Sequence, residues 1–382
     1  MMHDALDLGF IGGGLNSAVG DAHFIASQMD GRFRVEAGCF SRHTDINRQT
    51  AEKWHIPPRR CYPDMGRLLE DEKGRLDAIV VLTPTPAHVA PVVAALELGY
   101  AVICEKALAA SVAEAKKITT VQREHRGFLA VTYNYTGYPM LRELRHWIGQ
   151  RRLGRLEQIH IEMPQEGFAR LDRDGHPIIP QQWRLADGDI PTLSLDLGVH
   201  LHHIIEFLSG EKPVELVAVQ SSLGRFRQVI DNTVCIARYS NDLECNLWFG
   251  KAALGYRNGL KVRVFGERGA AEWSQVAPET FTYCDDKGRR SLIDRADVDA
   301  RIACLPRYNR FKIGHPAGFI EAFANLYWDI AEAITAARED RVHASEYVYG
   351  ANDALEGLMM LTAMVRSSEK RGWVAIERES LR

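Results

Sequence analysis

No stretch of this chain approaches the roughly 18 consecutive apolar residues that crossing a bilayer requires. Cysteine is sparse and unpatterned: seven residues, at 39, 61, 104, 235, 245, 284 and 304, with no CxxC pair. An odd, scattered set argues against a disulfide framework and against a cysteine zinc site. Neither sign of charge dominates, since 47 Lys and Arg stand against 50 Asp and Glu for a net −3. That balance points away from nucleic acid and anionic membranes as partners. The N-terminus carries Asp4 and Asp7 where a secretory leader has a basic segment, so no signal peptide is expected. These absences together predict a cytoplasmic protein in reducing surroundings. Internal repeats, low-complexity tracts and long flexible linkers are lacking as well.

What is present fits a globular protein of more than one core. A chain of 382 residues exceeds one ordinary core, and two domains follow. Its 46% hydrophobic and 25% charged residues are those of a soluble fold. The organising stretch is LGFIGGGLNSAVGDAH, residues Leu8–His23. A short apolar run enters Gly12-Gly13-Gly14, and a helical segment follows from about Gly20. Strand, glycine turn and helix in that order begin a dinucleotide-binding unit: glycine lets the backbone approach a pyrophosphate, and the helix N-terminus offers it N–H groups. By itself the cluster reads equally as a tight turn without a ligand.

Beyond it, strands expected at 33–40, 77–83, 101–104 and 128–132 alternate with helices near 45–54, 65–72, 89–98 and 112–126. Such alternation predicts parallel βαβ units and a first domain spanning residues 1–133. From residue 134 the pattern changes. Helices are expected at 140–151, 192–208, 319–337 and 346–370, with strand-like segments at 156–163, 214–221, 233–239, 244–249, 259–265, 269–274 and 372–376. Residues 279–309 read as loops and short strands. Successive strands without intervening helices imply a mixed or antiparallel sheet in a second domain, residues 134–382. Its C-terminal helix is expected to pack back on the first domain.

Three constellations could carry chemistry. Glu105-Lys106 ends the strand 101–104, the edge where open α/β sheets bind ligands. Lys106 is there either a surface side chain or a fixed cation against a developing alkoxide. Asp196 and His200 are spaced i, i+4 on one helix face, either a structural pair or a carboxylate-oriented general base. A metal site is disfavoured, because His200, His202 and His203 cannot converge on one ion from adjacent helix positions. Thr83-Pro84-Thr85-Pro86-Ala87-His88 is either a rigid turn or a loop whose Thr83 or His88 bonds a ribose.

Taken in order, GFIGGG, TPTPAH, CEKA, TYNYTGYPM and DLGVH resemble the Gfo/Idh/MocA oxidoreductase family, and the likeness extends through Gln182-Trp183-Arg184 to residues 314–325. The resemblance implies a Rossmann domain followed by an α+β domain with a large open mixed sheet. It implies hydride transfer between NAD or NADP and a hydroxyl-bearing carbon of a sugar, nucleotide sugar or cyclitol. Carried over residue by residue, Lys106 polarises the reacting oxygen, His200 takes the hydroxyl proton, and Asp196 holds the substrate or the histidine. Gly12, Gly14, Leu15, Asn16, Thr83, Pro84, His88, Glu105 and Lys106 are expected at the cofactor, and Asn134, Tyr135, Trp183 and Arg184 at a polyol.

Two departures stand out: Ala107 replaces the proline of the usual Glu-Lys-Pro, and five residues, 15–19, separate Gly14 from Gly20 where the family loop has two. His23 then falls where the family has a histidine. The second strand ends Phe40-Ser41-Arg42, with no carboxylate before Asp45, so Ser41 and Arg42 favour NADP over NAD. A homodimer or homotetramer packed through the open sheet is expected. Two other functions fit the same residues: a non-catalytic dinucleotide-binding regulator, or an enzyme whose bound cofactor cycles to give net isomerisation, elimination or hydrolysis.

Overall fold

Ala78–Leu82 is buried at every position, as a parallel strand covered on both faces must be. In the computed structural model, which describes residues 5–339, 341 and 345–377, this strand is the centre of a five-stranded sheet. Its members are β1 (Leu6–Gly12), β2 (Phe33–Cys39), β3 (Ala78–Leu82), β4 (Ala101–Glu105) and β5 (Leu129–Thr132), in the order β2-β1-β3-β4-β5. Every pairing is parallel. Five helices alternate with them: α1 (Gly20–Gln28), α2 (Thr44–Lys53), α3 (Met65–Asp71), α4 (Val89–Glu97) and α5 (Val112–Glu124). The expected Rossmann arrangement is what the chain forms.

The chain divides into two compact units, residues 1–137 with 319–355, and residues 138–318 with 356–382. The first takes a late helix into its core. On α8 (Phe319–Arg338), Phe323, Leu326, Tyr327, Ile330 and Ile334 join one buried cluster with Leu8, Phe10, Phe33 and Val80. Burying side chains of this size stabilises by about 2 kcal/mol each.

The second unit is built on nine strands: β6 (Leu156–Pro164), β7 (Pro213–Ser221), β8 (Asn232–Tyr239), β9 (Glu244–Gly250), β10 (Lys261–Gly266), β11 (Gly269–Ser274), β12 (Thr280–Asp285), β13 (Arg290–Asp294) and β14 (Val374–Ala375). Their order is β13-β12-β11-β10-β6-β9-β8-β7-β14. The β6–β9 pair is parallel and the remaining pairs are antiparallel, so the sheet is mixed as expected. One face is covered: Ile159, Ile161, Cys245, Leu247, Phe249 and Val262 are buried, as are Leu201, Ile204 and Ile205 of α7 (Val199–Ser209) and Leu144 of α6 (Pro139–Gly149). The other face carries Val219, Val234, Ile236 and Leu292, all exposed.

Residues 279–309 hold the short strands β12 and β13 among loops, as expected, and each pairs with its neighbour at the sheet edge. One detail differs from the sequence expectation. The last helix, α9 (Ala351–Lys370), starts five residues later than the periodicity at 346 suggests. Tyr349 instead accepts a hydrogen bond from Val131 at 2.8 Å, and Gly350 N–H donates to Asp353 Oδ2 at 2.8 Å, which fixes the helix start. Among the described residues no helix is long and apolar enough to cross a membrane.

Candidate functional site

The glycine turn is shaped by close backbone approach. Gly12 ends β1 with φ +84°, and a Cβ there would lie 2.7 Å from the Thr83 nitrogen at the end of β3. At Gly20, the first residue of α1, a Cβ would sit 1.8 Å from the Gly13 carbonyl oxygen. The helix therefore presses directly on the turn, which is what a third loop glycine permits. Gly14 N–H donates to Phe40 O at 3.0 Å, joining the turn to the end of β2. In the enlarged lip, Leu15 and Asn16 are exposed, and Ser17 Oγ accepts from the N–H groups of Val19 and Gly20 at 3.3 and 3.2 Å. Ser17 thereby holds the lip against the first residue of α1.

Beyond β2, Asn47 Oδ1 accepts from the N–H groups of Phe40 and Ser41 at 2.7 and 3.3 Å, shaping the bend that leaves Arg42 exposed. At the end of β3, Pro84 is exposed and Thr83 Oγ1 donates to Ala87 O at 3.1 Å. His88 is buried, with Nδ1 2.8 Å from Ala107 O and Nε2 2.7 Å from Thr83 O. Its ring ties the Thr83–His88 turn to the segment after Lys106. Burial pushes the His88 pKa down, while the facing carbonyls and Glu105 oppose that shift.

Glu105 is the buried acid of this edge. Thr132 Oγ1 donates to its Oε1 at 2.6 Å, and His23 Nε2 lies 3.3 Å from the same oxygen. His23 Nδ1 is 2.7 Å from the Tyr327 hydroxyl, so α1, β4, β5 and α8 meet in one polar chain. Burial raises the carboxyl, but the His23 bond and charge, Lys106 and Thr132 outweigh it and hold Glu105 below its ordinary value. Lys106 is half-buried, and the Lys106–Ala107 peptide bond is cis. Asn134 and Tyr135, just past β5, are both buried. Asn134 Nδ2 has no hydrogen-bond partner among the described residues, and a buried donor of that kind marks a place for a ligand or a water.

The second unit gathers its own polar group. Asp196 lies in a wide π-helical turn, Ser194–Gly198, that runs directly into α7; such turns recur at functional sites. His200 follows on the first turn of α7 and is buried. Asp196 Oδ2 accepts from Arg184 Nη1 and from Lys251 Nζ, each at 2.5 Å. The Arg184 guanidinium stacks 4.4 Å from the Trp183 ring centroid, so the two expected sugar contacts form one surface. Its carbonyl accepts from Thr192 Oγ1 at 3.2 Å, and Asp187 in turn accepts from Thr192 N–H at 2.9 Å.

Gly12, Gly14, Thr83, His88, Glu105 and Lys106 lie in the first unit, and Trp183, Arg184, Asp196 and His200 in the second. Sequence reasoning missed Lys251, Thr192 and Tyr327. Lys251 is 55 residues from Asp196, and Tyr327 is 304 from His23. A lone basic residue after the apolar strand Leu247-Trp248-Phe249 was the available signal for Lys251. Among the described residues, His202, Glu206 and Glu356 bring possible metal-ligand atoms within 4.8 Å of one another, but the Lys212 ammonium already pairs with both carboxylates.

Comparison with known proteins bears on both units. Residues 6–133 match the family described as "Oxidoreductase family, NAD-binding Rossmann fold", and residues 141–272 match the "GFO/IDH/MocA C-terminal domain". An uncharacterized oxidoreductase of Bacillus subtilis, YfiI, is 28% identical over 95% of each chain. The structure of an oxidoreductase from Sinorhizobium meliloti is 30% identical, with a TM-score of 0.84 over 97% of this chain and 100% of that one. An inositol dehydrogenase homolog from Azotobacter vinelandii, complexed with NADH and myo-inositol, is 27% identical, with a TM-score of 0.88 over 97% of this chain and 98% of that one.

Proposed function

This chain belongs to the Gfo/Idh/MocA family of NAD(P)-dependent oxidoreductases, and from that premise we propose that it moves a hydride to or from a hydroxyl-bearing carbon of a sugar, nucleotide sugar or cyclitol. The observation that carries this reading is the glycine turn, where Gly12 and Gly20 let β1, the turn and α1 pack so closely that any Cβ would clash with backbone. So tight a turn brings the N-terminus of α1 to the end of β1, which is the arrangement that holds a pyrophosphate. Leu15, Asn16, Thr83, Pro84 and Glu105 line the same strand edge, and the unpartnered Nδ2 of Asn134 offers a further donor. Ser41 and Arg42, with no carboxylate between Phe40 and Thr44, favour the 2′-phosphate of NADP.

A bound nicotinamide supplies the hydride chemistry, and the chain supplies orientation and proton transfer. Lys106 polarises the reacting oxygen, and His200 takes the hydroxyl proton as general base. Asp196, held by Arg184 and Lys251, accepts a hydrogen bond from a substrate hydroxyl. Trp183 offers an apolar face to the sugar ring, and Asn134 and Tyr135 add contacts. The relative that binds myo-inositol supports a neutral polyol as the first substrate to try.

A panel of sugars and cyclitols with NAD and with NADP, read by absorbance of the reduced nicotinamide, tests the reading. Lys106→Ala and His200→Ala are expected to lower turnover by about 10²–10⁴ while leaving cofactor affinity within a few-fold. Full activity in both variants overturns the assigned roles.

A further inference from the structure

A sequence pairing of Asp196 with His200 leaves out the cation that the fold brings to that carboxylate from farthest inside. Lys251 follows the last residue of β9, and its side chain is only 9% exposed, against 20% for Arg184. Its backbone is fixed on both sides: its N–H donates to Asp231 O at 2.8 Å, and its carbonyl accepts from Phe168 N–H at 2.8 Å. Asp231 is itself pinned by the N–H groups of Leu223 and Gly224 at 2.8 and 2.7 Å. The ammonium lies 5.3 Å from the Phe168 ring centroid and donates to Asp196 Oδ2 at 2.5 Å. A buried ammonium is costly unless it is paired and hydrogen-bonded, so this one is placed for the carboxylate it meets.

The chemistry of that carboxylate depends on its charge. Ionised, it only accepts hydrogen bonds and suits the hydroxyl donors of a polyol; protonated, one of its oxygens becomes a donor. Arg184 alone sits on an exposed approach to α7, where Gln181, Gln182, Ala186 and Asp187 are all exposed. Lys251 answers from the rigid sheet.

We propose that Lys251 is a positioning residue for the oxidoreductase reaction, holding Asp196 ionised and fixed in orientation as the acceptor for a substrate hydroxyl. The proposal rests on the oxidoreductase reading of Asp196 and His200. Removing a cation from beside a carboxylate favours its neutral form, so the acid side of the activity profile moves to higher pH.

The test compares wild type, Lys251→Met and Lys251→Arg on whichever polyol supports turnover. Lys251→Met is expected to raise the acid limb of the pH profile of kcat/KM by about one pH unit and KM for the polyol about tenfold, with the Kd for reduced cofactor within twofold. Lys251→Arg restores the limb. A carbon-13 titration of the Asp196 carboxyl in the protein without substrate shows the same upward move in Lys251→Met. Lys251→Gln carries the same expectations if Lys251→Met does not fold. A folded, uncharged variant with the wild-type acid limb and titration midpoint overturns the proposal. Absence of turnover on any polyol overturns the oxidoreductase reading instead, while the carbon-13 titration still decides the role of Lys251.

Discussion

Gly20 has the least latitude of any residue in the cradle. Its Cα hydrogen faces the Gly13 carbonyl, and a methyl group there would stand 1.8 Å from that oxygen, far inside van der Waals contact. Gly20→Ala must push α1 off the turn or move the turn itself. The expected outcome is a loss of dinucleotide affinity of tenfold or more, measured by calorimetry, with a drop in stability of about 1–3 kcal/mol. Ser17→Ala is the milder neighbour. It removes the acceptor for Val19 and Gly20 and costs about 1 kcal/mol of hydrogen bonding without blocking the cradle.

At the scale of elements, α7 ties stability to acid through a buried histidine. His202 stands two residues beyond His200, facing Glu206, Glu356, Lys212 and Tyr239. Burial pushes its pKa from 6.5 down to about 4, with Glu356 opposing and Lys212 adding. In the unfolded chain the imidazole takes a proton near pH 6.5, whereas in the folded protein it stays neutral until about 4. The unfolded state thus binds more protons in that window, and stability rises with pH through it. The contribution, roughly 3 kcal/mol, is present above pH 6.5 and lost as pH falls towards 4. Denaturant midpoints across this range are expected to decline in wild type and to be flatter in His202→Gln. Equal slopes would remove His202 as the cause.

The same scale shows why some elements were plain in the sequence and others were not. The continuous apolar run of β3 and the glycine break after β1 state their roles locally, because burial on both faces and a positive φ leave direct marks on residue type. β12 and β13 do not. Thr280–Asp285 and Arg290–Asp294 are half polar and become strands by pairing with a sheet edge that already exists. The start of α9 is likewise set by Tyr349 bonding to β5 in place of a further helical turn.

For the molecule as a whole, the uncovered face of the nine-stranded sheet is the largest question of packing. Val219 (61%), Val234 (47%), Ile236 (44%) and Leu292 (68%) are exposed there on strands that elsewhere bury their side chains. Val219, Val234 and Ile236 adjoin one another on the paired strands β7 and β8, while Leu292 stands on β13 at the opposite edge. An exposed apolar patch such as that on β7 and β8 marks an interface, and we propose that a second copy of the chain covers it as a homodimer or homotetramer. Light scattering is expected to return a multiple of the 43.0 kDa chain mass. Paired Val234→Lys and Ile236→Asp substitutions are expected to shift the protein towards monomer; a wild-type monomer contradicts the assignment.

Local sequence determined the parallel first sheet, the glycine turn and the mixed second sheet. Each depends on residues within a few turns of one another, where periodicity and residue type act directly. Tertiary structure alone decided that Lys251 reaches Asp196, that His23 links Glu105 to Tyr327, and that α8 enters the core of the first unit. Those contacts join residues 55 to 304 positions apart. Their partners are selected by sheet register and helix packing, which no local pattern around Lys251 or Tyr327 encodes.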